Sequence, residues 1–178
     1  KLPGGGPELG MRTVFNLLGP LTNPAGATHQ LIGVYDPKLT QPLAQVLGEL
    51  GGRAAFVVHG YGGLDEMTTN GPTRVSHLIN GKVNTFEFNA DRFGLRPASP
   101  EDLKCDTAEE NARMMRAILS DEDRSPRRDV VLLNSAAALA VESGNFAAAL
   151  EDAHCSIRSG AALDKLDRLI AFSQQAVQ

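Results

Sequence analysis

The sequence has no tryptophan, two cysteines and few aromatic residues, which make up 5% of its 178 residues. Cys105 and Cys155 lie far apart, and neither has a His or Cys at metal-ligand spacing, so we expect two reduced thiols. Reduced thiols are typical of cytoplasmic proteins. No apolar run approaches the roughly 20 residues that span a bilayer, and no signal-peptide pattern is found. We therefore expect a soluble cytoplasmic protein without a membrane partner.

The chain also lacks a basic face. Its formal net charge is −4, and charges of both signs are interspersed along its length. A protein that follows a nucleic-acid backbone needs clustered Lys and Arg, so we expect no nucleic-acid partner. The hydrophobic fraction of 42% is too high for a disordered protein and is sufficient for one buried core.

A strand-helix-strand unit is predicted near the start of the regular structure. Residues 30–35 form an apolar run that predicts a strand, and Asp36 and Pro37 after it are typical of a helix N-cap and first helical residue. Gly51 is typical of the helix end. Residues 54–58 predict a second buried strand. Such a unit places two parallel strands side by side through a right-handed crossover.

Three later segments complete the predicted fold. Residues 73–88 alternate around Asn80-Gly81, which predicts an antiparallel hairpin at an edge. Residues 129–133 predict a third buried strand that turns at Asn134 into an alanine-rich helix, and two closing helices are expected near residues 145–158 and 161–175. The fold class is therefore α/β, with a mixed, mostly parallel central sheet flanked by helices.

A glycine-rich segment directly after the second strand is the first candidate site. It ends in Asp65 and Glu66, and ligands of open α/β sheets bind beyond the carboxyl ends of strands. Adjacent carboxylates are the hard oxygen ligands that Mg²⁺ prefers, but a solvated turn has the same composition. His59, at the strand end, is either a general base or a hydrogen-bonded structural residue.

The second candidate is the Gly-, Pro- and Asn-rich segment at residues 12–24. Gly19 and Pro20 would form a rigid wall of small residues beside a flat ligand, since neither side chain blocks a close approach. The alternative is a buried connecting segment whose Asn and Thr side chains bond the backbone. Residues 1–7 contain three glycines and two prolines and are expected to be a linker, a frayed end or a cloning remnant.

Four motifs together resemble the anthranilate phosphoribosyltransferase family. Residues 8–24 carry Glu-Leu-Gly-Met-Arg-Thr, followed by Phe-Asn-Leu-Leu-Gly-Pro-Leu-Thr-Asn-Pro, and residues 63–66 are Gly-Leu-Asp-Glu. Residues 110–112 are Glu-Asn-Ala, and residues 132–139 are Leu-Leu-Asn-Ser-Ala-Ala-Ala-Leu. The similarity extends from about residue 8 to the end, so residues 8–178 are expected to be part of the family's α/β catalytic domain.

The resemblance implies a transferase that joins anthranilate to the ribose of phosphoribosyl pyrophosphate (PRPP), giving N-(5-phosphoribosyl)anthranilate and pyrophosphate in tryptophan biosynthesis. It implies Mg²⁺ as cofactor, held by Asp65 and Glu66 with the pyrophosphate. It places Gly19 and Pro20 along the anthranilate path. It also implies that the full-length protein is a homodimer.

Two departures from the family pattern affect these expectations. Gly6 stands where the family has an arginine that contacts the anthranilate carboxylate. The family's amino-terminal helical domain and its Gly-Thr-Gly-Gly-Asp loop, which cradles pyrophosphate, are not found in the sequence. If these residues were the whole molecule, we would expect half a substrate site and essentially no turnover.

Other functions are kept open. A pyrimidine nucleoside phosphorylase shares the domain plan and splits a ribose–base bond with phosphate, although residues 15–24 argue against it. A non-catalytic nucleic-acid-binding relative is opposed by the acidic net charge. A folded but inactive fragment is the third alternative.

Overall fold

The computed structural model describes Gly19, Leu21 and residues 25–175. Its strands are β1 (His29–Gly33), β2 (Ala54–Gly60), β3 (Thr73–Ile79) and β4 (Lys82–Phe88). Its α-helices are α1 (Thr40–Glu49), α2 (Pro100–Leu103), α3 (Ala108–Leu119), α4 (Pro126–Ala140), α5 (Phe146–Arg158) and α6 (Ala161–Gln175). Within these residues, no helix is long and apolar enough to cross a bilayer, and both cysteines are free thiols.

The predicted strand-helix-strand unit is confirmed. β1 and β2 pair in parallel, and α1 connects them. Asp36 accepts a hydrogen bond from the Lys38 N–H at 2.9 Å, which caps a short 3₁₀ turn that begins at Pro37 and leads into α1. Gly51 follows α1 with a φ of +90°, a value that favours glycine. Local signals therefore mark the start of the 3₁₀ turn that precedes α1 and the end of α1 itself.

The predicted hairpin is also confirmed. β3 and β4 pair antiparallel, with Ile79 opposite Lys82. Asn80 and Gly81 between them have φ values of +50° and +72°. A two-residue turn with both central residues at positive φ matches the natural twist of a hairpin. β4 is thus the outer strand of a sheet whose order is β1-β2-β3-β4.

Side chains of β2 alternate between two hydrophobic cores. Phe56 and Val58 belong to the larger core, which α4 and α5 cover, and Val57 belongs to the smaller core under α1. Successive side chains of a strand point to opposite faces, so one apolar strand contributes to both cores. This explains why residues 54–58 have no polar position.

The prediction of a strand at residues 129–133 was wrong. These residues lie inside α4, where Leu132, Leu133, Ala136 and Ala137 are all fully buried. A short apolar run does not by itself distinguish a strand from a helix enclosed between other elements. The mixed sheet with flanking helices is confirmed. Among the described strands, however, the β1–β2 pairing is the one parallel pairing and the other two are antiparallel, so "mostly parallel" does not hold there.

Candidate metal site

The two candidate carboxylates lie in the loop between β2 and β3, residues 61–72, called here the carboxylate loop. Gly62 and Gly63 have φ values of +79° and +86°, and they reverse the chain directly after β2. As a result the Gly60 N–H donates to the Leu64 carbonyl at 2.8 Å. The Tyr61 N–H donates to the Pro72 carbonyl at 3.0 Å and closes the base of the loop. The loop therefore folds back over the ends of the strands.

Two glycines at the ends of the parallel strands make room for the acidic residues. A Cβ placed on Gly33 would lie 1.4 Å from the carbonyl oxygen of Asp65, and one on Gly60 would lie 2.4 Å from that of Glu66. Any other residue at Gly33 would overlap the loop backbone. The backbone of the acidic pair thus rests directly on the carboxyl ends of β1 and β2, where ligands of such sheets bind.

The other side of the loop is held by the amide of Asn134 in α4. Its Oδ1 accepts from the Met67 N–H at 2.9 Å, and its Nδ2 donates to the Met67 carbonyl at 2.9 Å. The sequence pattern predicts a strand end at Asn134 and does not by itself show that its side chain holds the carboxylate loop. The available signal was an Asn within an alanine-rich segment, a poor choice for a helix interior unless its side chain has another partner.

Threonines anchor the rest of the loop. Thr73 Oγ1 accepts from the Thr68 N–H at 3.1 Å, and Thr69 Oγ1 accepts from the Ala98 N–H at 2.9 Å. Thr68, Thr69 and Thr73 are all buried. The backbone beyond the acidic pair is thereby fixed to its surroundings, while the acidic side chains stay exposed.

Asp65 and Glu66 have the donor chemistry of an open magnesium site. Among the described residues, no cluster of three or more His, Cys, Asp or Glu side chains could enclose a metal ion. Mg²⁺ usually binds one or two carboxylates, keeps several waters and takes its remaining ligands from substrate phosphates. Two exposed carboxylates on a fixed loop fit that pattern. A phosphate ligand would have to complete the coordination shell.

Glu66 is in an unfavourable position when it is charged. It borders an apolar cavity of about 280 Å³ between α3 and α4, which Met114 and Ile118 also line. The partial burial raises the pKa of Glu66 above its ordinary value, and the charge of Asp65 raises it further. An adjacent cation would remove both penalties. The site therefore favours the binding of positive charge.

Glu66→Gln is accordingly expected to increase the free energy of unfolding at neutral pH. A raised folded-state pKa means that the folded protein binds the proton more tightly than the unfolded chain, so ionised Glu66 costs stability. Because the residue is exposed, the gain should be below about 1 kcal/mol. It should vanish as the pH falls through the raised pKa toward the ordinary one. Urea titrations at several pH values measure this, and a gain independent of pH would contradict it.

His59 has a structural partner. Its Nδ1 lies 2.8 Å from the carbonyl oxygen of Val34, and since a carbonyl oxygen only accepts, Nδ1 carries the proton. The ring thereby ties β2 to the segment after β1. This bond gives His59 a structural role, and it does not involve Nε2, the atom through which a general base would act.

The second candidate site lies mostly outside the described residues. Gly19 is exposed, with open space where a side chain would be. Pro20, Gly6 and residues 1–7 are outside the described part of the chain. The proposed wall along a flat ligand therefore stays a prediction.

Comparisons with known proteins identify the family of the chain. Residues 6–163 match the family described as glycosyl transferase family, a/b domain. The chain is 52% identical over 167 residues to an anthranilate phosphoribosyltransferase of Moorella thermoacetica, a match that covers 93% of this chain and 49% of the relative. The chain thus spans about half the length of the curated relatives it matches.

Solved structures of the same enzyme share the fold. The anthranilate phosphoribosyltransferase of Thermus thermophilus superposes with a TM-score of 0.83 at 38% identity, over 93% of this chain and 49% of that one. The Saccharomyces cerevisiae enzyme in complex with PRPP and Mg gives a TM-score of 0.76 at 32% identity, over 89% of this chain and 46% of that one. The chain belongs to the glycosyl transferase family, a/b domain.

Proposed function

We propose that this chain forms the metal- and pyrophosphate-binding part of an anthranilate phosphoribosyltransferase. The observation that carries the proposal is the exposed pair Asp65 and Glu66, seated on Gly33 and Gly60 at the ends of two parallel strands. The names of the curated relatives and the matched solved structures support it. The reaction would transfer the phosphoribosyl group of PRPP to anthranilate.

In this reaction a bond forms between the anthranilate nitrogen and C1 of the ribose, while the bond from C1 to the pyrophosphate oxygen breaks. The bonding electron pair leaves with pyrophosphate, and the anthranilate amino group loses a proton. When bound, Mg²⁺ neutralises charge on the departing pyrophosphate. The contribution of the chain is to position the pyrophosphate end of the donor.

The acidic pair makes donor binding depend on the cation. Asp65 and Glu66 are carboxylates, and PRPP carries several negative charges, so the two repel each other unless a cation lies between them. The fixed loop presents both carboxylates from one side. We therefore propose that Mg²⁺ and PRPP bind together, with each one raising the affinity for the other.

On the acceptor side, we propose that Gly19 and Pro20 lie along the anthranilate path. Gly6 stands where an arginine is expected to contact the anthranilate carboxylate, and a guanidinium is the natural bidentate partner of that group. The homodimer, the absence of nucleic-acid and membrane partners, and the cytoplasmic location stay predictions.

The test is a chimaera in which the matched segment of the Moorella thermoacetica enzyme is replaced by this chain, assayed beside the chain alone. The chimaera is expected to form N-(5-phosphoribosyl)anthranilate from PRPP and anthranilate when Mg²⁺ is present. It is expected not to cleave thymidine or uridine with phosphate. Phosphorolysis of either nucleoside, or a folded chimaera that binds DNA at low salt and transfers nothing, would overturn the proposal.

A further inference from the structure

The side-chain amide of Asn134 makes three hydrogen bonds, two to the backbone of Met67 and one to its own helix. Oδ1 accepts from the Met67 N–H, and Nδ2 donates both to the Met67 carbonyl at 2.9 Å and to the Val130 carbonyl at 3.0 Å. Because both Nδ2 partners are carbonyls and the Oδ1 partner is an N–H, this network also fixes which end of the amide is which. A flipped amide would lose all three bonds.

The bond to Val130 locks the side chain to its own helix. Val130 lies four residues earlier in α4, so its carbonyl orients the Asn134 amide from the helix side. The two bonds to Met67 then fix the direction of the peptide groups on both sides of that residue. Met67 is itself 2% exposed and buried in the larger core. Apolar packing already holds the Met67 side chain in place. The contribution of the Asn134 amide is therefore to orient the Met67 backbone.

Met67 is the residue directly after Glu66. The carbonyls of Asp65 and Glu66 already rest on Gly33 and Gly60. The backbone of the acidic pair is thus held by the strand ends on one side and by Asn134 on the other. With both sides fixed, the directions in which the two carboxylates leave the backbone are fixed as well.

We propose that Asn134 is a positioning residue for the metal site: through the backbone of Met67 it sets the orientation in which Asp65 and Glu66 meet Mg²⁺ and PRPP. This inference rests on the proposed function. Groups that orient metal ligands without touching the metal typically contribute about 10- to 100-fold to metal affinity. The role differs from a purely structural one because it predicts a change in metal dependence.

The experiment compares Asn134→Ala and Asn134→Asp with Asn145→Ala in the Moorella thermoacetica chimaera, which supplies the rest of the substrate site. Asn134→Asp preserves the side-chain size and the acceptor for the Met67 N–H but replaces the donor with a carboxylate oxygen. Asn145 is the matched control, since its Oδ1 caps α5 by accepting from the Ala148 N–H at 3.2 Å, away from the carboxylate loop. All three changes remove side-chain hydrogen bonds and are expected to lower the melting temperature.

Two readouts separate positioning from stability. Calorimetry gives the Mg²⁺ concentration at which PRPP binding is half-maximal, and amide hydrogen exchange reports on residues 64–68 without ligand. Asn134→Ala is expected to raise the Mg²⁺ midpoint at least ~10-fold. Both Asn134 variants are expected to speed exchange in the loop, whereas the added negative charge of Asn134→Asp itself attracts Mg²⁺ and opposes a rise in the midpoint. Asn145→Ala is expected to leave both unchanged.

The chimaera with the wild-type segment is measured first. If it shows no Mg²⁺-dependent PRPP binding, the proposed function fails, and the positioning role fails with it. If it binds and Asn134→Ala keeps its Mg²⁺ midpoint within about twofold, the positioning role alone is overturned. If Asn134→Ala does not fold, amide exchange of residues 64–68 in Asn134→Asp decides the case, because this variant leaves no cavity; unchanged exchange would overturn the positioning role.

Discussion

Gly33→Ala is expected to weaken Mg²⁺-dependent PRPP binding by on the order of 100-fold, since displacement of a binding group by about 1 Å has effects of that size. The new Cβ would lie 1.4 Å from the carbonyl oxygen of Asp65, a separation that no side-chain rotation relieves. The loop backbone must therefore move away from β1 and carry Asp65 and Glu66 with it. The same change should lower the free energy of unfolding by ~1–3 kcal/mol.

Gly81→Ala provides the control for this prediction. Gly81, unlike Gly33, has a positive φ of +72°, and a Cβ there meets open space at the tip of the β3–β4 hairpin. Its substitution should lower stability by about 1 kcal/mol and leave PRPP binding unchanged. Calorimetry and urea unfolding of both variants test the comparison. Wild-type donor affinity in Gly33→Ala would show that the loop does not rest on β1 as described.

Leu133→Ala is expected to lower the free energy of unfolding by about 2–5 kcal/mol, the range for a large-to-small change at a fully buried position. Leu133 is 0% exposed and lies in the larger core, where α4 packs against the sheet and α5. Removing its side chain leaves a cavity between these elements. Urea-induced unfolding measures the loss.

Leu169→Ala is the matched control for the core. Leu169 lies in α6 and is 62% exposed, so its truncation should change the free energy of unfolding by no more than ~0.5 kcal/mol. Equal effects of the two substitutions would contradict the burial of α4.

Elements with strong local signals were predicted correctly. The N-cap at Asp36, the left-handed Gly51 and the Asn80-Gly81 turn each have a conformational preference that depends on neighbouring residues alone. The β1–β2 and β3–β4 pairings then followed from the connections between these strands, whereas the antiparallel β2–β3 pairing was not predicted. These features placed β1, β2, β3 and β4 without any knowledge of distant contacts.

The segment at residues 129–133 failed because its environment decides its structure. Its apolar residues suit either a buried strand or a helix that is covered on several sides. The helix that begins at Pro126, after the N-cap Ser125, runs through the predicted strand and continues into the predicted alanine-rich helix. Burial of both Leu132 and Leu133 results from packing against the sheet and α5. Periodicity over five residues does not contain that information.

The residues of the candidate site also differ in how far they could be predicted from the sequence. Asp65 and Glu66 became candidates because they are acidic residues after a strand and a glycine turn, and the family resemblance then implied their role in holding Mg²⁺. The supporting roles of Gly33 and Asn134 depend on contacts across 32 and 67 positions of the chain, from Gly33 to Asp65 and from Met67 to Asn134. Sequence neighbours give no indication of such contacts. The side chains that position a site are therefore harder to predict than those that form it.

The central claim is that Asp65 and Glu66 bind Mg²⁺ together with the pyrophosphate of PRPP. Its most direct test is a calorimetric titration of PRPP, with and without Mg²⁺, into the Moorella thermoacetica chimaera, which supplies the rest of the substrate site. The titration is made with the wild-type segment, with Asp65→Ala/Glu66→Ala, and with the charge-matched control Glu49→Ala/Glu109→Ala. We predict that the wild type and the control bind PRPP only when Mg²⁺ is present, and that the site variant loses about 100-fold or more of that affinity. Unchanged Mg²⁺-dependent affinity in the site variant would contradict the assignment of the carboxylate loop.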